Sequence, residues 1–243
     1  MIKIENVEIY GWEAAIRGMR NPKNSWDKSD SKFYYDEDPD AGCSHRCEHC
    51  KSFGKFDCSY IGKNDLKLMK TLAGAGNDHG KFMRMITVTL DITAPLYWWK
   101  EFDTYKVGTV ADSCSTMHKI HEKEFTIDDF SWDKLLNINC DLFEVERDNG
   151  LFRETVQPIG LLMKFIIPAL NVCRENFLLT KNKDYWWQMI QLLPSSYNQK
   201  RTVQLNYAVL KNMYHARKEH KLDEWRKFCK WIETLPYSEL IIH

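Results

Sequence analysis

The sequence predicts a single α+β domain. Three observations carry this: apolar and polar residues alternate over residues 2–9 and 86–92, dense apolar stretches of helical period follow residue 150, and a polar, cysteine-rich excursion fills residues 21–63. With 243 residues and 44% hydrophobic content, the chain is large enough to bury a substantial core.

The elements follow in order. Residues 2–9 alternate as a strand, and residues 12–19 suit a short helix. Residues 21–58 are rich in Asp, Ser, Gly and Pro, too long for a simple loop, and read as an insertion within the domain. Asn64 is a candidate cap for a helix through Leu66, Met69 and Leu72 that stops at Gly74-Ala75-Gly76. From Met83 to Ile92 the apolar residues Ile86, Val88, Leu90 and Ile92 fall on one face of a strand. Met85, Thr87, Thr89 and Asp91 fall on the other. Thr93 as cap and Pro95 in the first turn predict a helix over residues 96–106, ended by Gly108. Residues 125–143 form a polar connection. Residues 152–179 read as a long buried helix kinked by its prolines, and residues 184–193 as a helix closed by Pro194. A short β-prone run at 202–206 and helices over 208–219 and 223–234 complete the chain.

Charge excludes some functions. Lys plus Arg and Asp plus Glu number 34 each, so the neutral chain has no bulk attraction for a nucleic acid polymer or an anionic membrane. Lys3, Glu5 and Glu8 interrupt any secretory signal, and no run of about 18 apolar residues exists. A soluble cytoplasmic protein is the expectation.

Four of the eight cysteines cluster as Cys43-x3-Cys47-x2-Cys50-x7-Cys58, with His45 and His49 between them. Without an export signal, such spacing suits a structural zinc site, because tetrahedral zinc needs four thiolate or imidazole donors from a short loop. Reduced, non-ligating thiols are the alternative. The first three cysteines also resemble the spacing of radical enzymes that use S-adenosylmethionine, but the run of βα units those enzymes need is missing.

Residues 64–120 and 190–235 together resemble the flavin-dependent thymidylate synthases, the ThyX family. The resemblance rests on a strand, Ala94-Pro95, an aromatic helix and a small-residue turn, with His79 upstream and Leu193-Pro194, Asn206, Asn212 and Arg217 downstream. It implies a central antiparallel sheet flanked by long helices, a homotetramer, bound FAD, reduction by NADPH, and methylene transfer from methylenetetrahydrofolate to deoxyuridine monophosphate (dUMP). Much of the family signature is replaced. Its Gln falls at Glu101, its Arg-His-Arg at Thr104-Tyr105-Lys106, its turn Glu at Asp112, its reactive Ser near Cys114, its turn Arg at Thr116, and a late His at Lys221. Charge-assisted hydrogen bonds contribute about 1.5–3 kcal/mol each, so the two missing arginines remove about 3–6 kcal/mol unless Lys81, Lys100 or Lys106 substitutes.

The resemblance therefore implies one of two functions. The first is a divergent flavin-dependent enzyme, with Glu101, Asp112 and Cys114 as catalytic candidates. Its cofactor and nucleotide contacts would be His79, Lys81, Tyr105, Lys106, Asn206, Asn212, Arg217 and Lys221. The second is a non-catalytic nucleotide-binding module on the same scaffold. A scaffold retained only for interaction, and plain structural roles, stand beside both: Trp98, Trp99, Phe102 and Tyr105 at helical spacing suit a core, and Arg217 suits an ordinary helix surface.

Overall fold

The computed structural model describes residues 1–34, 58–135, 143–146, 153–156 and 163–243. In chain order the elements are β1 (Lys3–Tyr10), α1 (Trp12–Arg20), β2 (Lys32–Tyr34), β3 (Cys58–Tyr60), α2 (Lys63–Gly74), β4 (Thr87–Pro95), α3 (Leu96–Phe102) and β5 (Val110–Ser113). There follow β6 (Phe143–Glu146), β7 (Arg153–Val156), α4 (Met163–Thr180), α5 (Lys183–Leu192), β8 (Asn198–Asn206), α6 (Tyr207–Arg217), α7 (Asp223–Glu233) and α8 (Glu239–Ile242). The chain divides into two compact units. The first comprises Ile2–Ile92, Glu101–Asp112 and Arg201–His243; the second comprises Met1, Thr93–Lys100 and Ser113–Lys200.

A four-stranded sheet of order β1-β4-β8-β5 has most of its residues in the first unit. Asn6 donates to Asp91 (2.8 Å) and Thr87 to the carbonyl of Tyr10 (3.4 Å), so β1 runs antiparallel to β4. β4 and β8 are also antiparallel: Tyr207 N–H reaches the Ile86 carbonyl, and Leu96 N–H reaches that of Tyr197. Alternation has its expected result, because Ile86, Val88, Leu90 and Ile92 are fully buried and Thr87, Thr89 and Asp91 are not. Trp12 of α1 packs edge-on against Tyr207 and Tyr237, with ring centroids 5.2 and 5.1 Å away.

At the base of the expected insertion, β2 and β3 pair antiparallel, Lys32 opposite Tyr60. A buried polar knot sits beside them. Asp65, fully buried on α2, accepts from Arg20 Nε (2.6 Å), the hydroxyls of Ser29 (2.7 Å) and Ser31 (2.6 Å), and the N–H groups of Asp30 and Ser31. Cys43, Cys47 and Cys50 lie outside the described residues, and Cys58 opens β3. Among the described residues no three His, Cys, Asp or Glu side chains gather to hold a metal ion.

The second unit packs α4 against α5. Its core gathers Ile120, Phe125, Phe130, Met163, Leu170, Cys173 and Met189. Asn171 closes a two-way contact with the Phe125 backbone, donating to its carbonyl and accepting its N–H, each at 2.9 Å. No helix among the described residues is long and apolar enough to cross a membrane.

Four expectations need correction. Asn64 does not cap α2: Gly62 occupies the cap position, and the Asp30 carboxylate accepts the N–H groups of Asn64 (2.9 Å) and Asp65 (3.1 Å) instead. A Cβ on Gly62 would stand 2.1 Å from the Asp30 carboxyl carbon, so this cap requires glycine. The strand expected from Met83 begins at Thr87, because Gly80–Arg84 forms a 3-10 turn. Thr93 and Pro95 continue β4 rather than starting a helix, and α3 ends at Phe102, where the Thr104 hydroxyl bonds the Glu101 carbonyl (2.7 Å). The helix expected from residue 152 begins at Met163, behind the antiparallel β6–β7 pair.

Candidate functional site

β8 passes into α6 without a loop. Asn206 makes the turn: its side-chain oxygen accepts the N–H of Val209 (3.0 Å), satisfying one of the helix's orphan donors. Its amide nitrogen lies 3.1 Å from where a Cβ on Gly108 would stand. Gly108 has φ +77°, so the chain after α3 approaches α6 this closely only because residue 108 has no side chain.

A cavity of about 520 Å³ opens beside this junction, within the first unit. Arg84, Lys211 and His215 line it, together with the amides of Asn77, Asn206 and Asn212; Val107 and Val209 add apolar wall. None of the described lining residues is acidic. Arg84 has no hydrogen-bond or ion-pair partner among the described residues. Lys211 donates to the carbonyl of Ala73 in the last turn of α2 (3.0 Å), and burial holds its ammonium below the usual lysine range. His215 donates to the carbonyl of Ile241 (3.1 Å). Three basic side chains and three amides around a volume of this size suit a phosphate-bearing ligand with polar ring edges.

A second cluster forms on another face of α6. Arg217 donates Nη1 to Glu101 Oε2 (2.6 Å) and Nε to the Tyr105 hydroxyl (2.9 Å). His220 Nε2 and Trp225 Nε1 reach the same Glu101 oxygen, each at 3.2 Å. The guanidinium lies 4.9 Å from the Trp225 ring centroid and 5.5 Å from that of Tyr105, within cation–π range. His220 Nδ1 accepts the N–H of Leu222 (3.2 Å), so the neutral ring carries its proton on Nε2, facing Glu101.

The residues singled out from sequence are therefore distributed unevenly. Asn206 and Asn212 line the cavity, whereas Glu101 and Tyr105 both accept from Arg217. His79, Lys81, Lys106 and Lys221 are exposed and do not line it. Asp112 is exposed on β5, and Cys114 is an exposed free thiol of the second unit. Sequence reasoning missed Asn77, Arg84, Lys211 and His215. The spacing Ala208, Lys211, Asn212, His215 is a helical face that could have flagged three of the lining residues, while Arg217 falls about 200° around the helix from His215.

The arrangement is that of an α+β fold with a basic cavity at a strand-to-helix junction, and solved structures share the fold. Thymidylate synthase X from Helicobacter pylori with FAD and dUMP superposes with a TM-score of 0.59 at 15% identity, over 100% of this chain and 97% of that one. A second complex of the H. pylori enzyme with FAD and dUMP gives 0.58 at 16% identity, over 99% and 97%. A UMP/dUMP methylase, PolB from Streptomyces cacaoi bound with 5-Br dUMP, gives 0.54 at 13% identity, over 98% and 93%. The described residues thus share the fold of flavin-dependent thymidylate synthases. No protein-family profile and no curated protein matches it by sequence.

Proposed function

We propose that this protein binds a pyrimidine nucleotide together with FAD in and around the α6 cavity, and transfers a methylene or methyl group to the nucleotide. The observation that carries the reading is the lining: Arg84, Lys211 and His215 beside three asparagines, with no carboxylate among the described lining residues. Arg84 and Lys211 would hold phosphate, and Asn206 and Asn212 would orient a ribose or base edge by hydrogen bonds. Bound flavin would supply the redox and one-carbon chemistry, with NADPH and methylenetetrahydrofolate as the co-substrates the family resemblance implies. Asp112 and Cys114 remain the catalytic candidates of this reading, whereas Glu101 is engaged by Arg217, His220 and Trp225.

A second reading, non-catalytic capture of a nucleotide, is favoured by one observation. Glu101 already accepts from Arg217, His220 and Trp225, and neither Asp112 nor Cys114 lines the cavity. Reconstitution with FAD and assay of tritium release from 5-tritiated dUMP separates the two. Flavin uptake with tritium release supports the enzyme; dUMP binding without flavin uptake supports capture.

Self-association belongs to the same proposal. Phe165, Val172 and Leu179 follow at intervals of seven on α4 and are 64, 55 and 82% exposed, an apolar stripe suited to another copy of the chain in a homotetramer.

A further inference from the structure

We infer that Arg217 and Glu101 are positioning residues that tether the loop 103–109, a wall of the cavity, and that they act on a bound ligand through Tyr105 and Gly108 without touching it. The loop has little to hold it otherwise. Val107 is 91% exposed, Thr104 and Lys106 are exposed, and the hydroxyls of Thr104 and Thr109 bond locally, to the carbonyls of Glu101 at the end of α3 and of Tyr105. At its start, Asp103 pairs with Arg201 (2.7 Å), and near its end Gly108 rests against Asn206 and Val209. Between these points the attachment among the described residues is Tyr105: its hydroxyl accepts from Arg217, and its ring lies 5.5 Å from the guanidinium and 6.0 Å from the Trp225 ring. Arg217 is in turn fixed by Glu101 and stacked on Trp225, itself buried. Val107 and Gly108, two and three residues after Tyr105, line the cavity, whereas Glu101, Tyr105, Arg217 and Trp225 do not. The guanidinium therefore links α3, through Glu101, to the loop, through Tyr105.

The role in ligand binding rests on the nucleotide reading above; the tether itself does not. Trypsin cleavage after Lys106, followed by mass spectrometry on the ligand-free protein, reads the tether directly, because cleavage tracks local opening when reclosing is fast. Tyr105→Phe removes only the hydroxyl, and Arg217→Ala removes both the hydrogen bond and the cation–π contact to Tyr105. Both are expected to speed cleavage after Lys106 about tenfold or more, with cleavage after Lys183 unchanged. Both should also weaken binding of dUMP, used as the probe, in the same order as they speed cleavage. Wild-type rates of cleavage after Lys106 in Tyr105→Phe would overturn the inference. So would an Arg217→Ala protein that loses dUMP while its loop is cut at the wild-type rate, since Arg217 would then touch ligand itself. Faster cleavage in a protein that binds no dUMP would uphold the tether and refute the nucleotide reading alone.

Discussion

Asp65→Ala is expected to be among the most destabilising single substitutions in the chain. Asp65 and Arg20 are 0 and 4% exposed, and the carboxylate accepts five hydrogen bonds from Arg20, Ser29, Asp30 and Ser31. Removing it strands a buried guanidinium and two hydroxyls, which costs about 3–5 kcal/mol. For a chain of this size that lowers the unfolding midpoint by roughly 6–20 °C. The effect has a defined pH dependence. Burial by itself pushes the Asp65 carboxyl up, but the Ser31 and Ser29 hydroxyls and the Arg20 guanidinium outweigh it and hold the carboxyl below its ordinary value. A carboxylate with a depressed folded pKa stabilises fully above its unfolded value, about 3.9, and loses that contribution as pH falls through the lower folded value. Urea unfolding of wild type and Asp65→Asn at pH 7 and at about pH 3 should show a gap that narrows in acid. A gap that is absent at pH 7, or equal at both pH values, would refute the reasoning.

Other outcomes are equally specific. Arg84→Ala and Lys211→Ala should each weaken dUMP binding about tenfold to a hundredfold by calorimetry. Because burial lowers the Lys211 pKa, the lysine's share of that affinity should decline on the alkaline side before pH reaches the ordinary lysine value of 10.5. Gly108→Ala forces a side chain into φ +77° and within 3.1 Å of Asn206 and Val209, so stability measured by urea unfolding should fall by about 1–2 kcal/mol. Val172→Glu on the exposed stripe of α4 should reduce the mass measured by light scattering if that stripe joins copies of the chain.

Local pattern made much of the fold legible. Ile86 to Ile92 announces β4 because a period of two survives any tertiary context that buries one face. Pro194 and the apolar spacing before it bracket α5 equally well. The errors come from partners distant in sequence. Asn64 looks like a cap until Asp30, 34 residues earlier, accepts its N–H, and Thr93-Ala94-Pro95 looks like a helix start until Leu96 N–H is seen on the Tyr197 carbonyl. The same limit governs the site. Asn206 and Asn212 were reached through family resemblance, but Arg84 gives no local sign that it faces the α6 helix. The Arg217–Glu101 bond joins residues 116 positions apart, and neither residue's spacing announces it.

Binding of a nucleotide in the α6 cavity is the central claim, and the most direct measurement is mass spectrometry of small molecules released on denaturing the purified protein, before and after incubation with FAD and dUMP. The account predicts FAD, a pyrimidine nucleotide or both, retained by wild type at about one per chain and lost in the Arg84→Ala, Lys211→Ala double variant. Neither ligand retained by wild type, or equal retention by the double variant, would contradict it.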